Sequence, residues 1–239
     1  MAEIIPINDI YVMLCSSKPT LYKAILSLIQ SSGMTTTNLS TLTLNDFLNA
    51  CEEYFDKNEE KTFEILLNKD PWDIIPCWKL KNDKKITFNT PETTFHIFMY
   101  LKEKRQKDFD DLSNPLFKSG NNNFLKANKI SSYITEFNKI LNYEKGYFKS
   151  KNLIKTFENI CKQHLNLEQN YKTDIINLFI KGNVKYYNQF NNNYSEIKQY
   201  YKRLIPFLTV RTFDFNKQFN IYSNQLKIKI MRLLKIIIS

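Results

Sequence analysis

"IPCWKLKNDKKITFNTPETTFHIFMYLKEKR", residues 75–105, changes period twice. Trp78-Lys79-Leu80-Lys81 alternates apolar and polar, Asn82-Asp83 is a turn pair, and Lys85-Ile86-Thr87-Phe88 alternates again. Alternation on both sides of a turn predicts a short hairpin. Pro91 then suits the first turn of a helix, where its missing N–H costs nothing, and Glu92 lies near the positive helix end. A hairpin running straight into a helix is an uncommon insertion in a chain whose other segments read as helical.

Upstream, "KPTLYKAILSLIQSSG" (18–33) carries Leu21, Ile25, Leu28 and Ile29 at helical spacing and stops at Gly33. "LNDFLNACEEYFDK" (44–57) predicts a second helix with Asn45 as its cap and Phe47, Leu48, Cys51 and Phe55 on one face. Downstream, the same period predicts helices over about 127–142, 150–164, 171–181 and 194–205, and loops over 114–129 and 188–196. The fold class is mainly α with a small β-hairpin sheet. Residues 216–239 predict a C-terminal amphipathic helix, striped by Phe219, Tyr222, Leu226, Ile230, Leu233 and Ile237. Such a stripe must bury, either on the chain's own core or on a neighbouring protomer.

The 239 residues are 43% hydrophobic, enough for a sizeable core, and only 4 are glycine, which argues against a Gly-rich nucleotide fold. The net charge of +10 points to nucleic acid or another anionic surface. Nearly all of it is lysine; the arginines are Arg105, Arg203, Arg211 and Arg232. Cys15, Cys51, Cys77 and Cys161 form no C-x-x-C pair, and His96 and His164 are the only histidines, so neither a disulfide framework nor a zinc site is expected. No cofactor, metal or small-molecule substrate is expected. No signal peptide is read at the N-terminus, and "IMRLLKIIIS" (230–239) is too short for a bilayer. A cytoplasmic chain with reduced thiols is the expectation, nucleoid-associated if it binds DNA.

Six segments, in order, resemble the catalytic domain of tyrosine recombinases (integrases), especially the archaeal methanogen type. "IIPINDIYVML" is similar to the family's opening segment. "AILSLIQSSGMTTTNLSTLTLNDFLNA" resembles its first catalytic helix, Ser-Gly-Met turn and following helix. Residues 75–105 resemble its hairpin and the helix after it. "YFKSKNLIKTFENI" resembles the box carrying a catalytic His and Arg, "INLFIKGNVKYYNQ" the approach to the nucleophilic tyrosine, and "YSEIKQYYKRLIPFLTV" the segment after that tyrosine. The resemblance implies an integrase-like catalytic domain over 1–215, double-stranded DNA as partner, and self-association through the C-terminal helix. The family's N-terminal domain, half of its clamp around DNA, has no counterpart in the sequence, which implies weaker and less selective binding.

The family's chemistry is attack of a tyrosine on a phosphodiester, with two arginines holding the non-bridging oxygens as negative charge builds. Removing one such electrostatic group costs about two or three orders of magnitude in rate. Carried over residue by residue, the first arginine falls on Thr35, which is neutral and short. The hairpin lysine falls on Lys81 or Lys84. The His-x-x-Arg box falls on Lys151 and Ile154, and the later His or Arg on Asn183. The nucleophile falls on Tyr186 or its neighbour Tyr187, with Tyr186 preferred. Lys79, Lys81, Lys84, Lys85, Lys149, Lys151 and Lys155 are the expected nucleic-acid contacts.

Each residue has a plainer reading. Tyr186 and Tyr187 could simply pack, the hairpin lysines could be solvated turn residues, and both histidines could be partly buried core residues. The expectation is a mobile-element remnant or accessory factor that binds DNA without cleaving it. The rivals are an active recombinase using unorthodox residues and a protein-interaction module that lost DNA binding.

Overall fold

The computed structural model describes residues 3–119, 123–140, 143 and 146–210. The expected C-terminal helix and the boundary at 215 lie outside them. The opening segment folds as α1 (Ile7–Cys15), and the first long periodic run as α2 (Thr20–Ser32). Gly33 ends α2 in the left-handed region at φ 64°, its N–H donating to the Ile29 carbonyl at 3.0 Å. A β-carbon there would sit 2.6 Å from the Phe157 ring, so the turn also admits close packing.

Two short helices follow where one was expected. α3 (Thr36–Leu39) is capped by Thr35, and α4 (Leu44–Ala50) by Thr43 rather than Asn45. Both caps are reciprocal boxes: the threonine hydroxyl accepts the N–H three residues on, and that residue's side chain accepts the cap's own N–H. A short α5 (Phe63–Asn68) precedes the hairpin.

The hairpin is β1 (Cys77–Leu80) against β2 (Lys85–Phe88), antiparallel, pairing Cys77 with Phe88 and Leu80 with Lys85. α6 (Pro91–Lys104) then begins with Pro91 in its first turn. The remaining helices are α7 (Ala127–Thr135), α8 (Phe137–Ile140), α9 (Ser150–His164), α10 (Gln169–Ile180), α11 (Val184–Phe190) and α12 (Ser195–Leu208). The expected helix over 127–142 is thus split, and the expected loop over 188–196 shrinks because α11 runs on to Phe190.

The sheet lies between two apolar cores. Strand alternation points Cys77, Ile86 and Phe88 into the core built with α9 to α12, and Trp78 into the core built with α2, α4 and α6. Trp78 stacks on Phe47 at 5.6 Å, and its indole N–H donates to Asn89 at 2.7 Å. With both faces covered, all four residues of β2 are buried, Lys85 and Thr87 included. Those two polar residues face the end of α2. The Lys85 ammonium donates to the Gly33 carbonyl at 2.9 Å and the Thr87 hydroxyl to the Ser32 carbonyl at 2.6 Å. From α12, the buried Tyr201 hydroxyl donates to the Ser31 carbonyl at 2.7 Å. Three side chains from two elements therefore satisfy the last two carbonyls of α2, which have no intrahelical partner, and the carbonyl of the Gly33 turn that follows.

Candidate functional site: the hairpin turn and its neighbours

Thr35, directly after the α2 turn, is linked to the hairpin turn through Asn38. Its hydroxyl accepts the Asn38 N–H at 3.1 Å, and its own N–H donates to the Asn38 carboxamide at 3.0 Å. The same Asn38 donates its amide to the Asp83 carboxylate. The place where the resemblance implies an arginine is therefore filled by a neutral helix cap, with a carboxylate one hydrogen bond beyond it.

Gly182 and Asn183 close the turn from the other side. Gly182 has φ 90°, and a β-carbon on it would lie 1.8 Å from the Asp83 carbonyl oxygen, so no larger residue fits without moving the turn. The Asn183 N–H donates to the Lys84 carbonyl at 2.9 Å. Its carboxamide caps α11 by accepting the Tyr186 N–H at 3.3 Å. The structure thus gathers Thr35, the 81–84 turn and Gly182-Asn183 around one another.

The turn lysines are exposed. Lys81 makes no ion pair among the described residues. Lys84, at φ 50°, holds its ammonium 5.4 Å from the Tyr187 ring centre. Lys85 does not share their surface, which corrects its expected place among the nucleic-acid contacts. It is 1% exposed, and burial pulls its ammonium down to about 7 against a smaller opposing pull from Asp83.

On α9, Lys149 and Lys151 are exposed, and Lys155 reaches Glu158 at 3.5 Å. Ile154 packs half-buried against the first core. α9 meets the α2 turn through Phe157, one helical turn after Ile154.

Tyr186 and Tyr187 are buried. The Tyr186 ring packs between Tyr171 and Phe190, with Asp174 beside its hydroxyl. Burial and then the Asp174 carboxylate raise its phenol above the ordinary value, the opposite of what a nucleophile needs. Burial raises Tyr187 too, and its buried hydroxyl has no hydrogen-bond partner among the described residues.

A network that the sequence reading missed lies on the far side of β1. Lys198 on α12 is 7% exposed, donates to the Tyr54 hydroxyl at 2.8 Å and pairs with Glu53. The Tyr194 hydroxyl donates to the other Glu53 oxygen at 3.2 Å. Lys79, expected as a DNA contact, is partly withdrawn here: it pairs with Glu52 at 3.2 Å and lies over the Tyr194 ring at 4.6 Å. Burial, reinforced by Lys202, lowers the Lys198 ammonium to about 8. Nothing local in "CEEYF" signals this, because its partners are 144 residues away in the chain.

Among the described residues no group of three or more His, Cys, Asp or Glu side chains could hold a metal, and no helix is long and apolar enough to cross a membrane.

A helical body with an inserted hairpin, its turn packed between the end of α2 and a Gly-Asn pair, has the tyrosine-recombinase catalytic fold. Among solved structures the chain is similar to XerA recombinase, with a TM-score of 0.54 at 15% sequence identity, over 83% of this chain and 61% of that one. The chain therefore spans about three-fifths of that protein's length. No family profile and no curated protein matches the sequence.

Proposed function

We propose that the chain is a DNA-binding, recombinase-like protein that does not cleave or rejoin DNA, derived from an archaeal-type mobile element and nucleoid-associated through its DNA contacts. The observation that carries the proposal is the Thr35–Asn38–Asp83 chain of hydrogen bonds. A phosphorane gains negative charge, and catalysis needs fixed cations aimed at it. Here the matching position holds a hydroxyl already committed to a backbone N–H, with the Asp83 carboxylate one residue further along the hydrogen bonds, bound to Asn38. Ile154, matching the second arginine, packs half-buried against a core. The preferred nucleophile, Tyr186, is buried beside Asp174.

DNA binding is supported by the fold and by the +10 charge, with Lys81, Lys84, Lys149 and Lys151 exposed. Lysine meets phosphate as a point charge and carries no base information, so binding should be weak, largely indifferent to sequence and steeply salt-dependent. Fluorescence titration of a duplex at two salt concentrations tests this. The expected result is binding at low salt that fades as salt rises; no binding at low salt would end the DNA reading. On a nicked suicide duplex no covalent adduct should form. An adduct lost on Tyr186→Phe or Tyr187→Phe would identify an active enzyme instead. Self-association through residues 216–239 is part of the same proposal. It predicts that truncation before Asn216 turns an oligomer into a monomer in sedimentation.

A further inference from the structure

Beside the hairpin turn opens a groove of about 730 Å³, walled by α4, the whole of β1 and the connection between α11 and α12. Three features define what it suits. First, among the described residues β1 pairs with β2 alone in a two-stranded sheet, and antiparallel alternation turns the N–H and C=O of two of its four residues away from β2. Second, Asn45, Asn49, Asn82, Asn191 and Asn192 line the groove, and none of their carboxamides has a hydrogen-bond partner among the described residues. Carboxamides offer a donor and an acceptor together, the same pair that a peptide backbone presents. Third, the groove's charge runs against that of the protein. Asp46, Glu52 and Asp83 face it with Lys79 and Lys81, one more carboxylate than ammonium, on a chain of net charge +10.

From these we infer that the groove is a docking site for an extended, basic peptide segment of a partner protein, which adds as a strand along the free edge of β1. Main-chain hydrogen bonds to the edge supply register, the asparagines bracket the peptide amides, and the carboxylates select lysine or arginine. Charge decides between peptide and nucleic acid: Glu52 is taken up by Lys79, which leaves Asp46 and Asp83, without an ion pair among the described residues, against Lys81 alone, and that balance disfavours a phosphate chain. Of the exposed lysines offered to DNA, Lys84, Lys149 and Lys151 do not line the groove and Lys81 does, so peptide and DNA share that one cation.

The test is anisotropy titration of the full chain with a fluorescein-labelled octapeptide that alternates threonine and lysine. Saturable binding is expected, although a net-positive protein should repel a net-positive peptide. N-methylation of alternate backbone amides keeps the charge and removes the strand hydrogen bonds, and should weaken binding by about tenfold or more. The double variant Asn49→Ala, Asn192→Ala should weaken the peptide and leave binding of an oligothymidylate of equal length unchanged. Absence of peptide binding, or binding indifferent to N-methylation, overturns the inference. So does a double variant that loses the oligothymidylate and keeps the peptide, which would assign the groove to nucleic acid.

Discussion

Gly182 leaves no room for a side chain: a single methyl group there meets the Asp83 carbonyl oxygen, at a backbone angle that other residues rarely adopt. Gly182→Ala should therefore cost about 2–4 kcal/mol, measured by urea unfolding, because the turn must move or the backbone must strain. A cost within experimental error would mean that the turn yields freely. Lys85 gives a second test at this scale. Its folded-state ammonium titrates near 7, below the ordinary lysine value of 10.5. Between those values the unfolded chain still holds a proton that the folded chain has released, so stability rises with pH across that window. The stability difference between the native protein and Lys85→Met should shift in favour of the native protein as pH rises from neutral towards 10. A flat difference would show that Lys85 stays charged in the fold. Neither residue's role was legible in the sequence. Gly182 could be recognised only as one half of a Gly-Asn pair, and Lys85 looked like one more cation of a lysine-rich hairpin. What separates Lys85 from Lys84 is the strand face it occupies and the Gly33 carbonyl that the face meets, which is 52 residues away in the chain.

The hairpin and α6 were readable as elements, because a period of two that gives way to a proline-led helix is a local signal. The stop at Gly33 was readable for the same reason. α3 was not, since a four-residue helix held by one capping box has no periodicity to detect. Reading Thr35 as a lost arginine and finding it as a helix cap are compatible, and together they yield a prediction. Restoring both cations with Thr35→Arg and Ile154→Arg should still give no covalent adduct on a nicked suicide duplex, as read on a denaturing gel. The arginine at 35 gives up the cap, worth about 1 kcal/mol, and stands beside Asp83, where a salt bridge competes with phosphate. The one at 154 must leave an apolar contact. Tyr186 would remain buried, with a phenol raised by its surroundings. Adduct formation would mean that the missing arginines were the whole of the defect.

Across the whole molecule, two cores meet at the sheet, and the Lys198–Glu53–Tyr54 network fastens α12 to the segment after α4. Removing Lys198 strands Glu53, but Glu53 is a third exposed and water screens it, so Lys198→Ala should destabilise the protein by about 1–3 kcal/mol in urea unfolding. No loss would show the pair to be incidental. Stripes identified members of the first core, and strand alternation Ile86 and Phe88 of the second, but not the division of the core in two, which arises from burying both faces of one short sheet.

The end of α2 has a consequence for the order in which the chain is made. Its carbonyls wait for Thr87 and Lys85, which emerge some fifty residues later, and then for Tyr201, 170 residues after Ser31. At about 5–20 residues per second, ribosomes finish the hairpin's contribution seconds before the last hydroxyl arrives. A nascent chain that stalls before α12 thus holds its central helix with one carbonyl unmet and the second core without Ile197, Tyr201, Leu204 and Leu208. Such a chain is a substrate for chaperones and proteases, and the arrival of Tyr201 is the event that ends that exposure.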